Sequence, residues 1–549
     1  MALGAAVLVV AALPLLLLLL LLTRAAWVTV SCYVLTPARI RRALAAQGVR
    51  GPPPRLLVGN LRDVSALVAE ATAGDMRSLG HDIVGRLLPH YVRWSKAYGK
   101  LFVYWYGSEP RVCVTDAGMV RELLSSRHAH GATGRSWMQR QGARHFIGRG
   151  LIMANGATWS HQRHVVAPAF MADRLKGRVG HMVECTRQTV RALREAVAKE
   201  GNEVEVGAHM ARLAGDIIAR TEFDTSYDVG KRIFHLIDQL QRLTARSSRY
   251  LWVPGSQYFP SKYKREIKRL NGELERLLQE SIQRSREIAD EGRTPSSACG
   301  MGLLGMLLAE MDKKKKKKHN NGEEPGYDAQ MMIDECKTFF FAGHETSALL
   351  LTWAIMLLAT NPAWQEKARA EVAAVCGDAP LTADHLPKLT VVCTLQMVIN
   401  ETLRLYPPAT LLPRMAFEDI TLGSGSGNGG AGDQGLRVPK GASVWIPVLA
   451  IHHDEAAWGP DAHEFRPDRF ARRRPPSSSG CFLPFASGPR NCVGQAYAMV
   501  EAKVVLAMML ASFRFGISDE YRHAPVNVLT LRPRHGVPVR LLPLTTPQR

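Results

Sequence analysis

The chain has 549 residues, 46% hydrophobic and 22% charged, with nine cysteines and a formal net charge of +21. That balance excludes a disordered or a collagen-like chain. Nine cysteines, an odd number without a CxxC pair, are too sparse for a disulfide scaffold and point to a reducing compartment, while the excess of Lys and Arg suits an acidic protein partner, an anionic membrane surface, a nucleic acid or an anionic substrate.

Ala2 to Leu22 is uncharged and ends in the run Leu15 to Leu22. That is long enough for a helix to cross a bilayer. No basic residue precedes it, whereas Arg24, Arg39, Arg41 and Arg42 follow. A cleaved signal carries its basic residues in front, so residues 1–23 are expected to form an uncleaved single-pass anchor, N-terminus in the lumen and the rest cytosolic. Pro14 is tolerable in such a span. Trp27 to Leu35 is apolar but too short to span, and is expected at the interface. Residues 24–55 read as a basic juxtamembrane segment ending in Gly51-Pro52-Pro53-Pro54, whose fixed φ angles make a stiff hinge.

Residues 56–549 read as one large domain, mainly α with small β-sheets. Leu101 to Tyr106 with Arg111 to Val114 predicts a hairpin. Helical periodicity runs over 177–200, 262–291, 328–360 and 384–405, and Ser443 to Val448 is a further candidate strand. Lys313 to Lys318 is an unbroken run of like charge followed by a polar stretch, so 313–326 is predicted to be a solvated surface loop. A second loop is predicted at 423–435, rich in Gly, Ser and Asn. The formal GxGxxG within it, Gly425 to Gly430, is followed by Pro439 and Gly441 where a dinucleotide site needs a helix.

The strongest signal is Phe485-Ala-Ser-Gly488-Pro-Arg490-Asn-Cys492-Val-Gly494, the pattern FxxGxRxCxG. A thiolate at Cys492 is a ligand for haem iron and pushes electron density toward it. Gly488 and Gly494 let the backbone turn tightly beside a flat macrocycle. Arg490 supplies charge-assisted hydrogen bonds to a haem propionate. A buried structural cysteine is the bland alternative, and the spacing of five fixed residues speaks against it.

These residues resemble the cytochrome P450 family, the haem-thiolate monooxygenases, and the resemblance extends over essentially the whole chain. Four further motifs stand in the family's order. Trp159-Ser-His-Gln-Arg163 matches WxxxR; one helical turn separates the two side chains, so both can reach one propionate. Ala342-Gly343-His344-Glu345-Thr346 lies inside the apolar helix 328–360: Gly343 removes a side chain where oxygen would sit, Thr346 offers a hydroxyl, and Glu345 can relay protons through water. His344-Glu345 is no zinc motif, because the second histidine of HExxH would fall on Ala348. Glu401-Thr-Leu-Arg404 matches ExxR, and with Arg469 of Pro467-Asp-Arg469-Phe470 it implies a buried structural network bracing the cysteine loop. Arg414 is implied as a propionate partner. Asn400-Glu-Thr402 is a formal glycosylation sequon that a cytosolic helix would not present to that machinery.

The resemblance implies a haem b cofactor and electrons from NADPH. The chain shows no credible dinucleotide or flavin unit of its own, so a separate partner, NADPH–cytochrome P450 reductase, is expected, and the positive balance suits docking to its acidic face. The endoplasmic reticulum membrane is the implied location. Longer stretches, among them His81 to Tyr91, Asp334 to Thr346 and Leu405 to Met415, look like the plant cytokinin trans-hydroxylases of the clan 72 group. That likeness implies hydroxylation of the terminal methyl of an isopentenyl side chain on adenine nucleotides. Arg135, Arg140, Arg144 and Arg149 lie in a segment placed by family position near the site's mouth; such arginines hold a substrate phosphate, pair with a propionate, or are solvated. Phe340, Ala342, Pro408, Ala409, Thr410 and Leu411 are implied pocket residues. The rival readings are a related monooxygenase acting on a steroid or diterpenoid hormone, and a membrane haem-binding sensor without catalysis. A nucleic-acid partner rests on net charge alone and is not expected.

Overall fold

The computed structural model describes residues 2–55, 57–223, 225, 227–247, 261–290, 302–318, 328–377, 385, 393–423, 435–471 and 480–544. Helix α1 (Ala2–Val30) continues through a π-helical turn at Ser31–Leu35 into α2 (Thr36–Ala45). The helix runs on past residue 23, the expected end of the anchor, and Trp27 to Leu35 is part of it. The apolar stretch Leu16–Ala45 is long enough to cross a membrane, and nothing packs on its apolar window. Two core helices are apolar enough for the same reason that any fully buried helix is, and they lie inside the protein.

Ile40 and Leu44 of α2 are fully buried in the same cluster as Val103 and Val112. The Pro-rich segment after α2 is packed down as well. Val103 donates its N–H to Arg50 O at 3.0 Å, and a Cβ on Gly51 would fall 1.7 Å from Val103 O. The segment predicted as a hinge is thus seated on the first strand.

The body is helical: α3 (Trp137–Ala143), α4 (Gly156–Val166), α5 (Val179–Glu200), α6 (Val206–Phe223), α7 (Tyr227–Ser247), α8 (Lys262–Asp290), α9 (Leu303–Lys318), α10 (Ala329–Thr360), α11 (Cys393–Leu405) and α12 (Gln495–Ser512) position the site. Three of the four helices read from periodicity end within two residues of the expected bounds. The fourth, expected over 384–405, is α11 from Cys393 onward, its predicted first part falling largely outside the described residues. The six-lysine run, predicted as loop, is the end of α9. Leu303, Leu304, Leu307, Leu308 and Met311 anchor the start of that helix in the core, and lysine propagates a helix readily once it has begun. Residues 319–326 and 424–434, the rest of the two predicted loops, lie outside the described residues.

The long helix α10 crosses the core, packed by α6, α11 and α12. It starts at Asp328, whose carboxylate accepts from Met331 N–H at 2.6 Å as an N-cap. The strands are β1 (Phe102–Tyr106), β2 (Glu109–Cys113), β3 (Thr133–Gly134), β4 (Leu412–Ala416), β5 (Ser443–Ile446), β6 (Pro525–Val528) and β7 (Thr530–Pro533), with further short strands in two small sheets. One five-stranded sheet runs in the order β1-β2-β5-β4-β3, and only the β2–β5 pairing is parallel. β6 and β7 form a hairpin turning at Leu529, which carries a left-handed φ of 70°. Cys32, Cys113, Cys185, Cys336, Cys376, Cys481 and Cys492 are free thiols.

Candidate active site

The cysteine loop is built from tight turns that end where α12 begins. Ala486 donates to Leu483 O, Asn491 to Gly488 O, and Cys492 to Phe485 O at 2.9 Å. Gly488 has φ 70°, and a Cβ there would lie 1.8 Å from Leu124 O, so only glycine fits. Gly494 differs: a Cβ added to it would meet nothing within 4 Å. Its neighbourhood is open. The Cys492 thiol is accessible yet surrounded by protein, so the space it faces is an internal hollow. Burial pushes its pKa up, while the Gly494 N–H and the Arg163 charge pull it down.

In the middle of α10 the burial pattern changes. Residues 332–341 and 347–348 are buried, whereas each residue from Ala342 to Thr346 is partly exposed. Thr346 Oγ1 donates to Ala342 O at 2.6 Å. Glu345 Oε1 accepts from Arg532 Nε at 2.9 Å and Nη2 at 2.5 Å, and from Thr530 Oγ1. Gly343 has a different reason from the one expected: a Cβ there would fall 2.7 Å from the Ile218 side chain, so the glycine admits close packing of α6 on α10. Phe340 is a correction. It is fully buried, stacked on Phe223 with centroids 3.9 Å apart and edge-on to Phe234, and so belongs to the core between α6, α7 and α10. Beyond β7's contact with α10, Ala409 is exposed, Leu411 is partly so, and Pro408 and Thr410 are buried. Pro408 O accepts from Leu531 N–H, and Thr410 Oγ1 accepts from Asn527 Nδ2 at 2.7 Å. Of the four, only Ala409 and Leu411 offer surface to a ligand.

Three guanidinium groups gather without an acid. Arg414, 4% exposed, donates Nη1 only to the neighbouring Pro413 O. Arg135 donates to Ile152 O and Pro413 O. Arg490 donates Nη2 to Ala154 O, lies over the Trp159 ring at 4.6 Å, and leaves a buried Nη1 without a partner. Among the described residues none of the three is in an ion pair. Burial, then the charges of Arg135 and Arg490, push Arg414 well below the usual guanidinium range; burial and Arg135 bring Arg490 to about 10, and burial brings Arg135 to about 10. A guanidinium does not deprotonate inside a protein. The cluster therefore calls for an anion, and two carboxylates of a haem match it in charge and donor set. Arg135, offered above either to a substrate phosphate or to a propionate, belongs with this cluster. Arg144 is exposed just past the end of α3.

Replacing Arg414 by leucine has an expected effect of two signs. Losing one charge-assisted bond of about 1.5–3 kcal/mol lowers haem affinity roughly 10–100-fold. The haem-free protein, relieved of like-charge repulsion, unfolds at the same or a higher temperature. Haem-to-protein ratio and thermal unfolding of both forms check this.

Arg163 takes another part from that predicted. Both its terminal nitrogens bind Asn491, Nη1 to the carbonyl and Nη2 to Oδ1, each at 2.8 Å. It ties α4 to the cysteine loop, while Trp159 reaches the arginine cluster through Arg490. The Glu401–Arg404–Arg469 network is present. Arg404 makes two bonds to Glu401, at 2.7 and 2.8 Å, and donates to the carbonyls of His452, Ala462 and Glu464. Arg469 Nε stands 3.4 Å from Glu401, and its other bonds go to Asp461 and Trp458 O. The sequence reading missed His452, whose Nε2 accepts from Leu483 N–H at 2.9 Å and so passes the brace into the cysteine loop. Thr402 of the sequon is fully buried inside α11.

Comparison with known proteins agrees with this geometry. A sequence model of the family described as Cytochrome P450 matches residues 80–535. A protein of Arabidopsis thaliana named Cytokinin hydroxylase is 54% identical over 519 residues, covering 94% of this chain and 96% of its own. A second of that name and organism is 53% identical over 517 residues, covering 94% and 95%. Cytochrome P450 734A4 of Oryza sativa subsp. japonica is 39% identical over 531 residues, covering 92% and 94%.

Proposed function

We propose, for a chain that belongs to the cytochrome P450 family, the activity of a cytokinin hydroxylase. The observation that carries the substrate is the identity of 54% and 53%, nearly end to end, with two proteins of that name, against 39% with the rice relative. The reaction is RH + O2 + NADPH + H+ giving ROH + H2O + NADP+, where RH is an isopentenyladenine nucleotide and ROH the trans-hydroxylated product. Membership of the family implies haem iron. When bound, the haem activates dioxygen with two electrons, which here come from NADPH through a membrane reductase.

The residues divide the work. Cys492 holds the iron as a thiolate, and the Gly494 N–H beside its sulfur tunes it. Arg135, Arg414 and Arg490 neutralise the propionates. Thr346 Oγ1 and the Glu345 carboxylate hold and move protons at the reacting side of α10. Ala342, Ala409 and Leu411 shape the wall against which the isopentenyl group lies, and α10 keeps bulk water away. Arg140 and Arg144, in and just past α3, are exposed cations outside any ion pair among the described residues, left to meet a substrate phosphate. The apolar helix at the N-terminus fits a membrane anchor, and the endoplasmic reticulum follows from the reductase partner.

The test is turnover in microsomes with a plant reductase, isopentenyladenosine monophosphate and NADPH. The expected result is an NADPH-dependent hydroxylated product by mass. An intact reduced carbon-monoxide spectrum with no product would overturn the substrate and turn attention to steroid and diterpenoid hormones.

A further inference from the structure

We infer that Arg532 is the positioning residue for Glu345, holding its carboxylate against the β6–β7 hairpin, and that Asp238 is the alternative partner that lets Arg532 release it. This rests on the reading of Glu345 as a proton carrier. All the bonds that fix Glu345 come from one hairpin, and all converge on Oε1. Oε2 takes none of them. Neighbours one apart on a helix point about 100° apart. With Glu345 tied to the hairpin, its carboxylate therefore does not face the Thr346 hydroxyl, which is bonded to Ala342 O.

Arg532 is placed to change partners. Its Nη1 lies 3.7 Å from Asp238 Oδ1 of α7, and its Nη2 lies 3.4 Å from Gln241 Oε1 of the same helix. Asp238 already holds Arg242 at 2.9 Å, so it has a carboxylate to share and need not be desolvated afresh. A guanidinium three-quarters buried costs free energy when left unpaired. A second carboxylate within reach removes most of that cost and makes two arrangements comparable. In one, Arg532 is paired to Glu345. In the other, Arg532 is paired to Asp238 while Glu345 turns toward Thr346.

The space for the exchange exists. A cavity of about 500 Å³ lies between α6, α7, α10 and β7, lined by His344, Glu345, Asp238, Arg242 and Arg532. A water occupies about 30 Å³, so the cavity holds a chain of them beside the carboxylate. The charged and titratable groups facing Glu345 are Arg532 from the hairpin, Asp238 and Arg242 from α7, Glu205 ahead of α6, and His344 on α10 itself. Glu205 is committed to the N–H groups of Gly207, Ala208 and Val537. Burial holds His344 neutral, its pKa brought to about 4, and it bonds Ala211 O. Arg532 is thus the cation that governs Glu345.

The experiment uses full-length enzyme with its reductase and compares Glu345→Gln, Arg532→Gln, Arg532→Lys and Asp238→Asn. Product and hydrogen peroxide are measured per NADPH from pH 5.5 to 8.5 (roughly the range over which folded proteins hold their stability). Where protons fail to arrive, O2 + NADPH + H+ gives H2O2 + NADP+, so the peroxide share reports the relay. Arg532→Gln leaves Glu345 free to turn toward Thr346 and is expected to lower that share, the opposite of Asp238→Asn. Arg532→Lys keeps the share near that of the parent. Asp238→Asn leaves Arg532 on Glu345 and raises the peroxide share severalfold. Thermal unfolding of the substrate-free enzyme is the second readout: the Glu345→Gln/Arg532→Gln double variant is expected to unfold where Arg532→Gln alone does. A peroxide share that does not fall in Arg532→Gln, or additive losses in the double variant, would overturn the inference while leaving Glu345 its role. Unchanged coupling in Glu345→Gln would instead remove the proton reading, and the inference with it.

Discussion

Replacing Cys492 by alanine is expected to leave the protein folded and to abolish hydroxylation. The sulfur takes the Gly494 N–H, and the loop's other ties do not pass through it. The loop is held by backbone turns, by Arg163 on Asn491 and by Leu483 on His452. Alanine keeps the backbone and removes one atom from an accessible wall. Thermal unfolding of the haem-free variant should therefore match that of the haem-free parent. The three-arginine cluster is untouched, so some haem is still captured by its propionates. What disappears is the thiolate donor that biases the iron toward O–O cleavage. Removing an outer partner of a metal ligand costs about 10–100-fold, and removing the ligand itself costs more, so product falls below detection. The reduced carbon-monoxide spectrum should lose its thiolate signature in the same preparation. A variant with that signature intact, or with measurable turnover, would place the ligand elsewhere in the chain.

The parts of this site that sequence made legible share one property, which is that their geometry is local. The cysteine loop, the span of α10 and the Glu401–Arg404 pair are set by local sequence, so spacing and periodicity carry them. Arg135, Arg414 and Arg490 come from three separate segments, and their meeting is tertiary. Motifs pointed two of them to a propionate, and the third stayed ambiguous between substrate and cofactor. Phe340 shows the opposite difficulty. Residues 332–341 of its helix are buried all round, so periodicity offers no polar face from which to orient one residue, and a neighbour 100° away points to a different layer. The Glu345–Arg532 contact spans 187 positions and had no local trace at all. The lysine run was misread because charge repulsion was weighed without the buried apolar turns of Leu303 to Met311 that start its helix.

Replacing Glu401 by glutamine is the other change with a large expected effect, and it acts on stability. Glu401 and Arg404 are both fully buried, and the carboxylate also accepts from Arg466 N–H at 2.9 Å and faces Arg469. Glutamine is nearly isosteric, so no cavity forms. It does remove the only counter-charge that Arg404 has among the described residues, and it sets an NH2 group against guanidinium donors. Breaking a buried pair by neutralising one partner costs about 3–5 kcal/mol, a large share of the roughly 5–15 kcal/mol that holds a folded protein. The loss should also reach the cysteine loop, because Arg404 fixes the His452 carbonyl and the His452 ring fixes Leu483. The expected result is a thermal midpoint lower by several degrees and a reduced haem-to-protein ratio, with the haem that remains still ligated by thiolate. Arg404→Lys should fail similarly, since an ammonium cannot reproduce two bonds to the carboxylate together with three to carbonyls. If Glu401→Gln kept both its midpoint and its haem content, the network would have to be a bystander to the loop, and the bracing role would fall to Arg163 and Asn491 alone.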